Sequence, residues 1–277
     1  TDELEYIAPK LFINRYIRFI YLSKENEQGH QQQVIAELDR PIDKCIAGTE
    51  LLSQIAVDKF VFHMPLYRQL QRFKLENIDI TASTLDSWMR LLSKHIRPLY
   101  PVHQAYILGS NYLQADESPI KVQDRDKSGA THQGYMWVYR APVSKALFFE
   151  YNKGRSEQSP LKNLSTFNGY LQSDGYVVYE NIVKGRKITH VACWAHARRM
   201  FEQALTYDKV LAGFVLERIQ ILYAIERRAR EMGVAAHERK EIRLNESLPI
   251  LNEIGEYIAG NRSRVLPRSP IGKAFEY

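Results

Sequence analysis

Residues 112–116 read Tyr-Leu-Gln-Ala-Asp, and residues 170–174 read Tyr-Leu-Gln-Ser-Asp. Each stretch has the composition of a β-strand and ends on an aspartate, Asp116 in the first and Asp174 in the second. Because side chains alternate along a strand, each aspartate shares a face with the glutamine and tyrosine before it and lies opposite the leucine. The repeat therefore predicts two similar strands that carry acids at equivalent positions.

The surrounding sequence alternates between strand and helix signals. Further strands are predicted at residues 134–140, 146–151 and 188–192, and helices from Ser159-Pro160 toward Gly169, at residues 176–183 and from Trp194 to about Leu205. This order matches the ribonuclease H core, in which three antiparallel strands precede two strands added through helical crossovers. We therefore predict an α/β fold with a ribonuclease-H-like mixed sheet over residues 108–207.

The residues before this core predict two smaller parts. Residues 11–22 and 33–38 are rich in β-branched and aromatic residues and predict a hairpin in residues 1–45. Residues 46–100 predict three short helices resembling a helix-turn-helix unit: one capped by Thr49, one opened by Pro65, and one from Thr81 or Ser83 to about His95, with Pro98 and Pro101 as a boundary.

In a helix-turn-helix unit the second helix of the pair faces bases with its first residues. The candidate DNA readers are then Ser83, Thr84, Ser87 and Arg90. A plain helical hairpin used for dimer contacts is an equal alternative. At the other end, residues 208–277 predict a helical insertion and the start of a C-terminal part, with an apolar stripe from Leu211 to Leu222 and a helix that breaks or kinks at Pro249.

Composition limits the class of protein. The 277 residues carry a net charge of +6 with a pI near 9.1, and clustered arginines suit phosphate contacts, although such clusters are also found on solvated helix faces. No apolar run is long enough to span a bilayer and the first residues do not form a signal peptide, so we expect a cytoplasmic protein without membrane partners. Two cysteines, Cys45 and Cys193, make neither a disulfide framework nor a four-cysteine site, and no zinc is expected.

The repeated aspartates suggest chemistry. In the expected arrangement their strands are neighbours, roughly 5 Å apart, so the two carboxylates could share a divalent cation for phosphoryl transfer. Glu117 should point to the other face of the sheet, which favours Asp116 as the ligand. The alternative is that each aspartate only caps a turn between strand and loop.

Several motifs together resemble one family. Residues 116–119 (Asp-Glu-Ser-Pro), 134–139 (Gly-Tyr-Met-Trp-Val-Tyr), 172–176 (Gln-Ser-Asp-Gly-Tyr) and 190–199 (His-Val-Ala-Cys-Trp-Ala-His-Ala-Arg-Arg) resemble the core motifs of insertion sequence 66 transposases, over roughly residues 40 to 277. The resemblance implies a DDE enzyme that nicks transposon ends and joins the 3′-hydroxyl to target DNA with Mg²⁺ or Mn²⁺. It implies double-stranded DNA and a homo-oligomer on DNA as partners, and Asp116 and Asp174 as the first two acids.

The resemblance also implies a third acid, a Glu in an Asn-Asn-containing helix. We expect that helix to begin after Tyr277, because Glu276, Glu253 and Glu202 do not match its motif. The chain is then expected to be a truncated form or a decayed copy, without activity by itself. A cysteine-rich zinc segment found near the N-terminus in the family has no match here.

The segment Cys193-Trp194-Ala195-His196 resembles a Cys-x-x-His motif that follows the second acid in several DDE families. We expect Cys193 and Trp194 to pack near the site. His196, Arg198 and Arg199 are candidates for contacts to DNA phosphates, whereas Trp137 and Tyr139 are expected in the sheet core.

Three other functions stay open from the sequence. The chain could be a DNA-binding remnant without chemistry, or another ribonuclease-H-like nuclease that acts on RNA hybrids or junctions. An α/β domain without a nucleic-acid role is the third, and it predicts no salt-dependent DNA binding.

Overall fold

The computed structural model describes residues 11–24, 32–38, 40, 42–43, 45–124, 129–156 and 158–277, without the side chains of residues 158 and 159. The chain divides into two compact units, Thr1–Pro98 and Leu99–Tyr277, called here the first and second unit. Residues 25–31, between the two predicted strands of the hairpin, lie outside the described residues.

The hairpin of the first unit is shorter than predicted. Strand β1 (Ile20–Leu22) pairs antiparallel with β2 (Gln33–Ile35), and Ile20 lies opposite Ile35. Residues 11–19, predicted as strand, are not in a strand. Their apolar side chains are solvent-exposed, with Phe12 at 78% and Ile13 at 94%, so no packed layer supports a longer ladder here.

Three helices of the first unit enclose one core. They are α1 (Thr49–Phe60), α2 (Leu66–Leu75) and α3 (Ala82–Ile96). Ile55 and Leu85 are fully buried in this core. Thr49 was a wrong prediction for the cap of α1, because Gly48 holds that position and Thr49 is the first helical residue. Thr81 does cap α3, and its side chain accepts a hydrogen bond from the Thr84 amide.

The second unit contains the predicted α/β architecture with a mixed sheet. Its five strands lie in the order β5-β4-β3-β6-β7. Strands β3, β4 and β5 pair antiparallel, while β6 is parallel to both β3 and β7. The strands are β3 (Tyr112–Gln123), β4 (Thr131–Ala141), β5 (Ala146–Asn152), β6 (Gly169–Ser173) and β7 (Ile188–Ala192).

Helices connect the later strands and close the sheet core. They are α5 (Gln158–Asn163), α6 (Val177–Val183) and α7 (Trp194–Ala204). Trp137 and Tyr139 are fully buried, which confirms their prediction as sheet core, and Trp137 packs edge-to-face on Tyr179 of α6. The core thus fixes β3 and β6 side by side beneath α6.

One helix was not predicted. Helix α4 (Leu99–Leu108) begins between the two prolines that were interpreted as a boundary. Pro101 lies in its first turn, where the missing N–H breaks no helical hydrogen bond. The Tyr100 hydroxyl donates to the carbonyl of Phe149, which ties α4 to β5.

The chain after α7 is helical, as predicted. Its elements are α8 (Lys209–Glu231), α9 (Ala236–Ile242), a π-helical turn (Arg243–Ser247), α10 (Leu248–Asn261), a 3₁₀ turn (Arg262–Arg264) and α11 (Pro270–Glu276). The π turn falls just before Pro249, and the Leu248 amide reaches back to the Arg243 carbonyl. It is the predicted interruption, because a regular helix would press the proline ring on the carbonyl four residues earlier. No helix in the described ranges is both long and apolar enough to cross a membrane.

Candidate active site

The register between β3 and β6 brings the two aspartate positions to the same level of the sheet. Gln114 pairs with Gln172 in this parallel ladder. Asp116 lies two residues further along β3, and Asp174 lies two residues beyond Gln172, directly after β6. Asp116 on β3 and Asp174 just past the end of β6 thus have equal spacing from a paired position.

Hydrogen bonds show that the matched polar side chains share one face. Tyr112 Oη donates to Gln172 Oε1 at 2.5 Å, and Gln114 Nε2 donates to the same oxygen at 2.8 Å. Alternation along β3 then sets Asp116 on this face, where it is exposed, and turns Glu117 inward, where it is buried.

Each aspartate uses one carboxylate oxygen for a local backbone contact. Asp116 Oδ1 accepts from the Glu117 amide at 2.9 Å, and Asp174 Oδ1 accepts from the Tyr176 amide at 3.1 Å. In the described part of the chain, neither Oδ2 accepts a hydrogen bond. Turn capping by Asp174 is therefore present, but it leaves one oxygen of each acid for a ligand.

Glu117 lies beneath the aspartates and is neutralised by Arg155. Its Oε1 accepts from Arg155 Nε at 2.8 Å and from Nη2 at 2.5 Å, and its Oε2 accepts from Tyr179 Oη at 3.1 Å. Burial raises the pKa of Glu117 above its ordinary value, Arg155 opposes that rise, and the charge of Asp174 adds to it. Asp174 is therefore close enough for its charge to act on Glu117 through the sheet edge.

Tyr277 lies against the turn that follows Asp174. Its hydroxyl accepts from the Gly175 amide at 3.0 Å, and its ring occupies the space that a side chain at Gly175 would need. Burial raises the pKa of Tyr277, the Gly175 N–H lowers it, and the charges of Asp174, Cys193 and Asp116 raise it. The Tyr277 hydroxyl thus lies within electrostatic range of both predicted acids.

A pocket of about 230 Å³ opens beside Asp116. His196 lies in the first turn of α7, and its Nδ1 is buried without a partner in the described residues. Cys193 is the N-cap of α7 and is half-buried, whereas Trp194 is 39% exposed and so lies outside the dense core. The pocket is lined by Gln114, Ala115, Asp116, Val138, Arg140, Gln172, Ser173, Cys193 and His196, with Asp174 just outside it.

The predicted DNA-contacting residues lie in both units. In the first unit Ser83, Ser87 and Arg90 are exposed on α3 and Thr84 is half-buried. Ser83 and Thr84 share hydrogen bonds with the Thr81 hydroxyl, and Arg90 pairs with Asp86 at 2.7 Å. In the second unit Arg198 and Arg199 are exposed on α7, and Arg198 pairs with Glu202 at 2.8 Å.

Residues 44–277 match the Transposase IS66 family. The chain belongs to the IS66 family of transposases. The resemblance inferred from the sequence motifs is therefore confirmed.

Curated relatives of this IS66 chain come from Sinorhizobium fredii (strain NBRC 101917 / NGR234). Uncharacterized protein y4hP is 30% identical over 83% of this chain and 45% of its own length, and uncharacterized protein y4jD is 28% identical over 100% of this chain and 56% of its own length. The chain thus spans about half the length of these relatives.

Among solved structures, one similar chain comes from the simian T-cell lymphotropic virus intasome in complex with PP2A regulatory subunit B56 gamma. It shares 12% identity with a TM-score of 0.25 and covers 49% of this IS66 chain and 47% of its own. A likeness this low does not bear on the fold.

The two aspartates offer the kind of ligand that a hard cation prefers. Carboxylate oxygens are the ligands that Mg²⁺ and Mn²⁺ prefer. Within the described ranges, no group of three or more His, Cys, Asp or Glu side chains could hold a metal ion. Asp116 and Asp174 are thus two candidate carboxylate ligands, and Mg²⁺ commonly completes its coordination with water and substrate oxygens.

The sequence did not reveal Arg155. A glutamate facing the buried side of a strand signals that some cation must lie nearby, because an unpaired buried charge is strongly unfavourable. The sequence does not say which cation, because Arg155 follows β5 and is 38 residues from Glu117 along the chain.

Proposed function

We propose that this IS66 chain carries the catalytic core of a DDE transposase, which cleaves transposon-end DNA and joins the 3′-hydroxyl to target DNA. Asp116 and Asp174 are the first two acids of the site. The observation that supports the proposal is the parallel pairing of Gln114 with Gln172, since Asp116 and Asp174 each follow a paired glutamine by two residues.

The ribonuclease-H-like assignment is part of this proposal. Three antiparallel strands come first in the second unit, and two parallel strands follow through helices α5 and α6. This connectivity supports the assignment, because it is the strand arrangement that the ribonuclease H core uses.

Asp116 and Asp174 would hold the Mg²⁺ or Mn²⁺ ion of the reaction. When bound, the ion would activate the attacking water or 3′-hydroxyl and neutralise charge on the phosphate. The backbone amides of Glu117 and Tyr176 orient the two carboxylates through their Oδ1 atoms. Arg140, on the wall of the pocket beside Asp116, places a guanidinium where a DNA phosphate could accept hydrogen bonds.

Double-stranded DNA is the proposed partner, both as transposon ends and as target, with a homo-oligomer assembled on it in the cytoplasm. The first residues of α3 (Ser83, Thr84, Ser87, Arg90) would read bases, and His196, Arg198 and Arg199 of α7 would contact phosphates. The net charge of +6 supports this, since DNA binding gains from the release of counterions.

Strand-transfer assays on a form of the protein extended to the length of its relatives test the proposal. Asp116→Asn and Asp174→Asn should each abolish joining with little change in DNA affinity, because they remove a ligand but no phosphate contact. Asp208→Asn, at the N-cap of α8, is the matched control and should keep its activity. A normal joining rate in either site variant would remove that residue from the site.

The same assay separates the alternatives. The 277-residue chain alone should not join DNA, because no group of three or more His, Cys, Asp or Glu side chains in its described residues could hold a metal ion; joining by this chain would contradict that account. DNA binding without chemistry in the extended form would identify a binding-only protein. Preferential cleavage of RNA–DNA hybrids would identify another nuclease.

A further inference from the structure

A partly buried cluster links the strand of Asp116 to the turn of Asp174, and the proposed chemistry does not use its side chains. We call it the Arg155 cluster; its members are Glu117, Arg155, Tyr176 and Tyr179. Glu117 follows Asp116 directly on β3, and Tyr176 lies two residues after Asp174. A bridge between Glu117 and Tyr176 therefore constrains the position of Asp174 relative to Asp116.

Arg155 bridges Glu117 and Tyr176, using the edge of its guanidinium for one and the plane for the other. The edge of its guanidinium donates two hydrogen bonds to Glu117, whose side chain is 2% exposed. The plane of the guanidinium lies over the Tyr176 ring, with 3.9 Å between its central carbon and the ring centroid. The Tyr176 hydroxyl then donates to the Arg155 carbonyl at 3.0 Å, so Arg155 holds Tyr176 by side chain and backbone together.

The other end of the cluster reaches Asp174 through the backbone. The amide of Tyr176 donates to Asp174 Oδ1 at 3.1 Å. A shift of Tyr176 would therefore turn the Asp174 carboxylate. On the opposite side, Tyr179 donates to Glu117 and is itself fully buried, so Glu117 cannot move to compensate.

We propose that Arg155 is a positioning residue, which holds the Asp174 turn against the Asp116 strand so that both carboxylates can bind one divalent cation. The inference rests on the proposed function. It assigns to Arg155 no contact with metal or DNA. Residues that orient metal ligands in this way typically change metal affinity by about 10- to 100-fold when they are replaced.

The substitution Arg155→Lys separates positioning from charge neutralisation. Lysine keeps a positive charge for Glu117, but an ammonium group has neither the planar fork nor the stacking surface of arginine. If Arg155 only neutralises Glu117, Arg155→Lys should keep the wild-type metal affinity and the wild-type hydrogen exchange. If Arg155 positions the turn, Arg155→Lys should fold but hold Asp174 loosely.

The measurements are Mn²⁺ binding, followed by electron paramagnetic resonance of free Mn²⁺, and hydrogen exchange of the peptide covering residues 174–179. For Arg155→Lys we expect Mn²⁺ affinity to fall about tenfold and exchange in the peptide to accelerate, with an unchanged melting temperature. Arg218→Lys is the matched control, because Arg218 also bonds a glutamate, Glu253, and stacks on an aromatic ring, Phe214, at 4.1 Å. It should change neither readout.

A second variant guards against misfolding. Tyr176→Leu removes the stack and the hydroxyl contact but leaves the buried ion pair intact, and it should reproduce both effects. Wild-type Mn²⁺ affinity and wild-type exchange in Arg155→Lys and Tyr176→Leu would overturn the inference.

Asp116→Asn and Asp174→Asn distinguish this failure from failure of the proposed function. If these two variants bind Mn²⁺ like the wild type, the metal site itself is wrong. If they lose the ion while Arg155→Lys and Tyr176→Leu keep it, only the role of Arg155 is wrong.

Discussion

At the scale of single residues, Gly169 decides how closely β6 can approach β3. Its φ is +133°, and a Cβ built there would lie 2.3 Å from the carbonyl oxygen of Asn111. Its own amide donates to Lys187 at 3.0 Å, so the residue is held on both sides. The parallel register that aligns the two aspartates therefore begins at a position open only to glycine.

We expect Gly169→Ala to destabilise the second unit by about 3 kcal/mol or more, because backbone strain and a clash with a main-chain carbonyl add. Gly185→Ala is the control: its φ is +72°, but open space surrounds its Cβ, so strain acts alone and should cost about 1 kcal/mol. Urea unfolding followed by circular dichroism measures both. Equal losses would show that the Asn111 carbonyl can move away.

In the first unit, the buried Asp58 and its partner Arg72 predict a loss of stability when the pair is broken. Asp58 is 3% exposed and accepts from Arg72 at 2.6 Å and from Gln54 at 2.7 Å. Arg72→Met leaves a buried carboxylate with one neutral partner and should cost about 2–3 kcal/mol. The measurement is the free energy of exchange for protected amides in α1 to α3.

The exposed pair of Arg90 and Asp86 supplies the control for that measurement. Both side chains are largely exposed, so Arg90→Met should change the same amides by less than about 0.5 kcal/mol. A loss in Arg72→Met no larger than that of Arg90→Met would mean that water reaches Asp58.

Side-chain alternation made part of the site predictable from sequence. It placed Asp116 outward and Glu117 inward on β3, because a strand has a strict period of two. The partner of Glu117 was not predictable, since Arg155 meets it only after the chain has passed through β4 and β5. The contact between Tyr277 and Gly175 was not predictable for the same reason, because 102 residues separate the two along the chain.

At the scale of elements, prolines explain where the sequence misled and where it succeeded. The first predicted strand was expected to end at Asp116, yet β3 continues through Pro119 to Gln123. Beyond Gln114, β3 no longer pairs with β6, so Pro119 lies on a strand that pairs only with β4 and its missing N–H leaves the ladder intact. Pro249 lies in the first turn of α10, directly after the π turn that interrupts the regular helix, as expected for a proline that cannot continue a regular α-helix. The effect of a proline thus depends on which neighbour its nitrogen faces, and local sequence does not contain that fact.

The ion pair between α8 and the π turn predicts a dependence on pH. Hydrogen bonds from Arg243 to Glu226 lower the pKa of that carboxyl, burial opposes this, and the charges of Arg243, Arg239 and Arg230 lower it further. A lowered folded-state pKa contributes stability above the ordinary carboxyl pKa, and that stability is lost as pH falls through the lowered value.

Glu226→Gln should therefore reduce the melting temperature at pH 6, and the difference from wild type should shrink as pH falls below the ordinary carboxyl pKa and through the lowered one. The effect should stay within about 1 kcal/mol, because both partners are partly exposed. Glu256→Gln, exposed on α10, is the control and should melt like the wild type at each pH. A difference for Glu226→Gln that is constant from pH 3 to 6 would exclude the ion pair as its cause.

At the scale of the whole molecule, the candidate functions are divided between the two compact units. The acids and the arginines of α7 belong to the second unit, together with the helices after α7, whose Phe275 packs on Phe201 at 6.1 Å. The candidate base readers of α3 belong to the first. The order of the elements allowed the sheet and the helical parts to be predicted. The grouping of the last helices with the sheet depends on apolar contacts between distant residues, which the order of elements does not specify.

This division predicts that affinity and sequence preference can be changed separately. Replacing Arg198 and Arg199 by alanine removes phosphate contacts, so the slope of log affinity against log salt should become shallower by about one per contact, on any DNA sequence. Their exposed pairing with Glu202 does not prevent this, because a surface ion pair is weak and exchanges readily for a phosphate. Ser87→Ala with Arg90→Ala should instead reduce the preference for transposon-end over unrelated duplex, since base contacts carry specificity.

Fluorescence anisotropy with both duplexes, from low to physiological salt, measures slope and preference together. Arg218→Ala is the control for charge alone: its guanidinium is committed to Glu253 and Phe214, and its loss should leave the salt slope unchanged. If the α7 double variant keeps the wild-type slope, DNA does not lie along α7. If the α3 double variant keeps full preference for end DNA, α3 is a packing helix and the bases are read elsewhere.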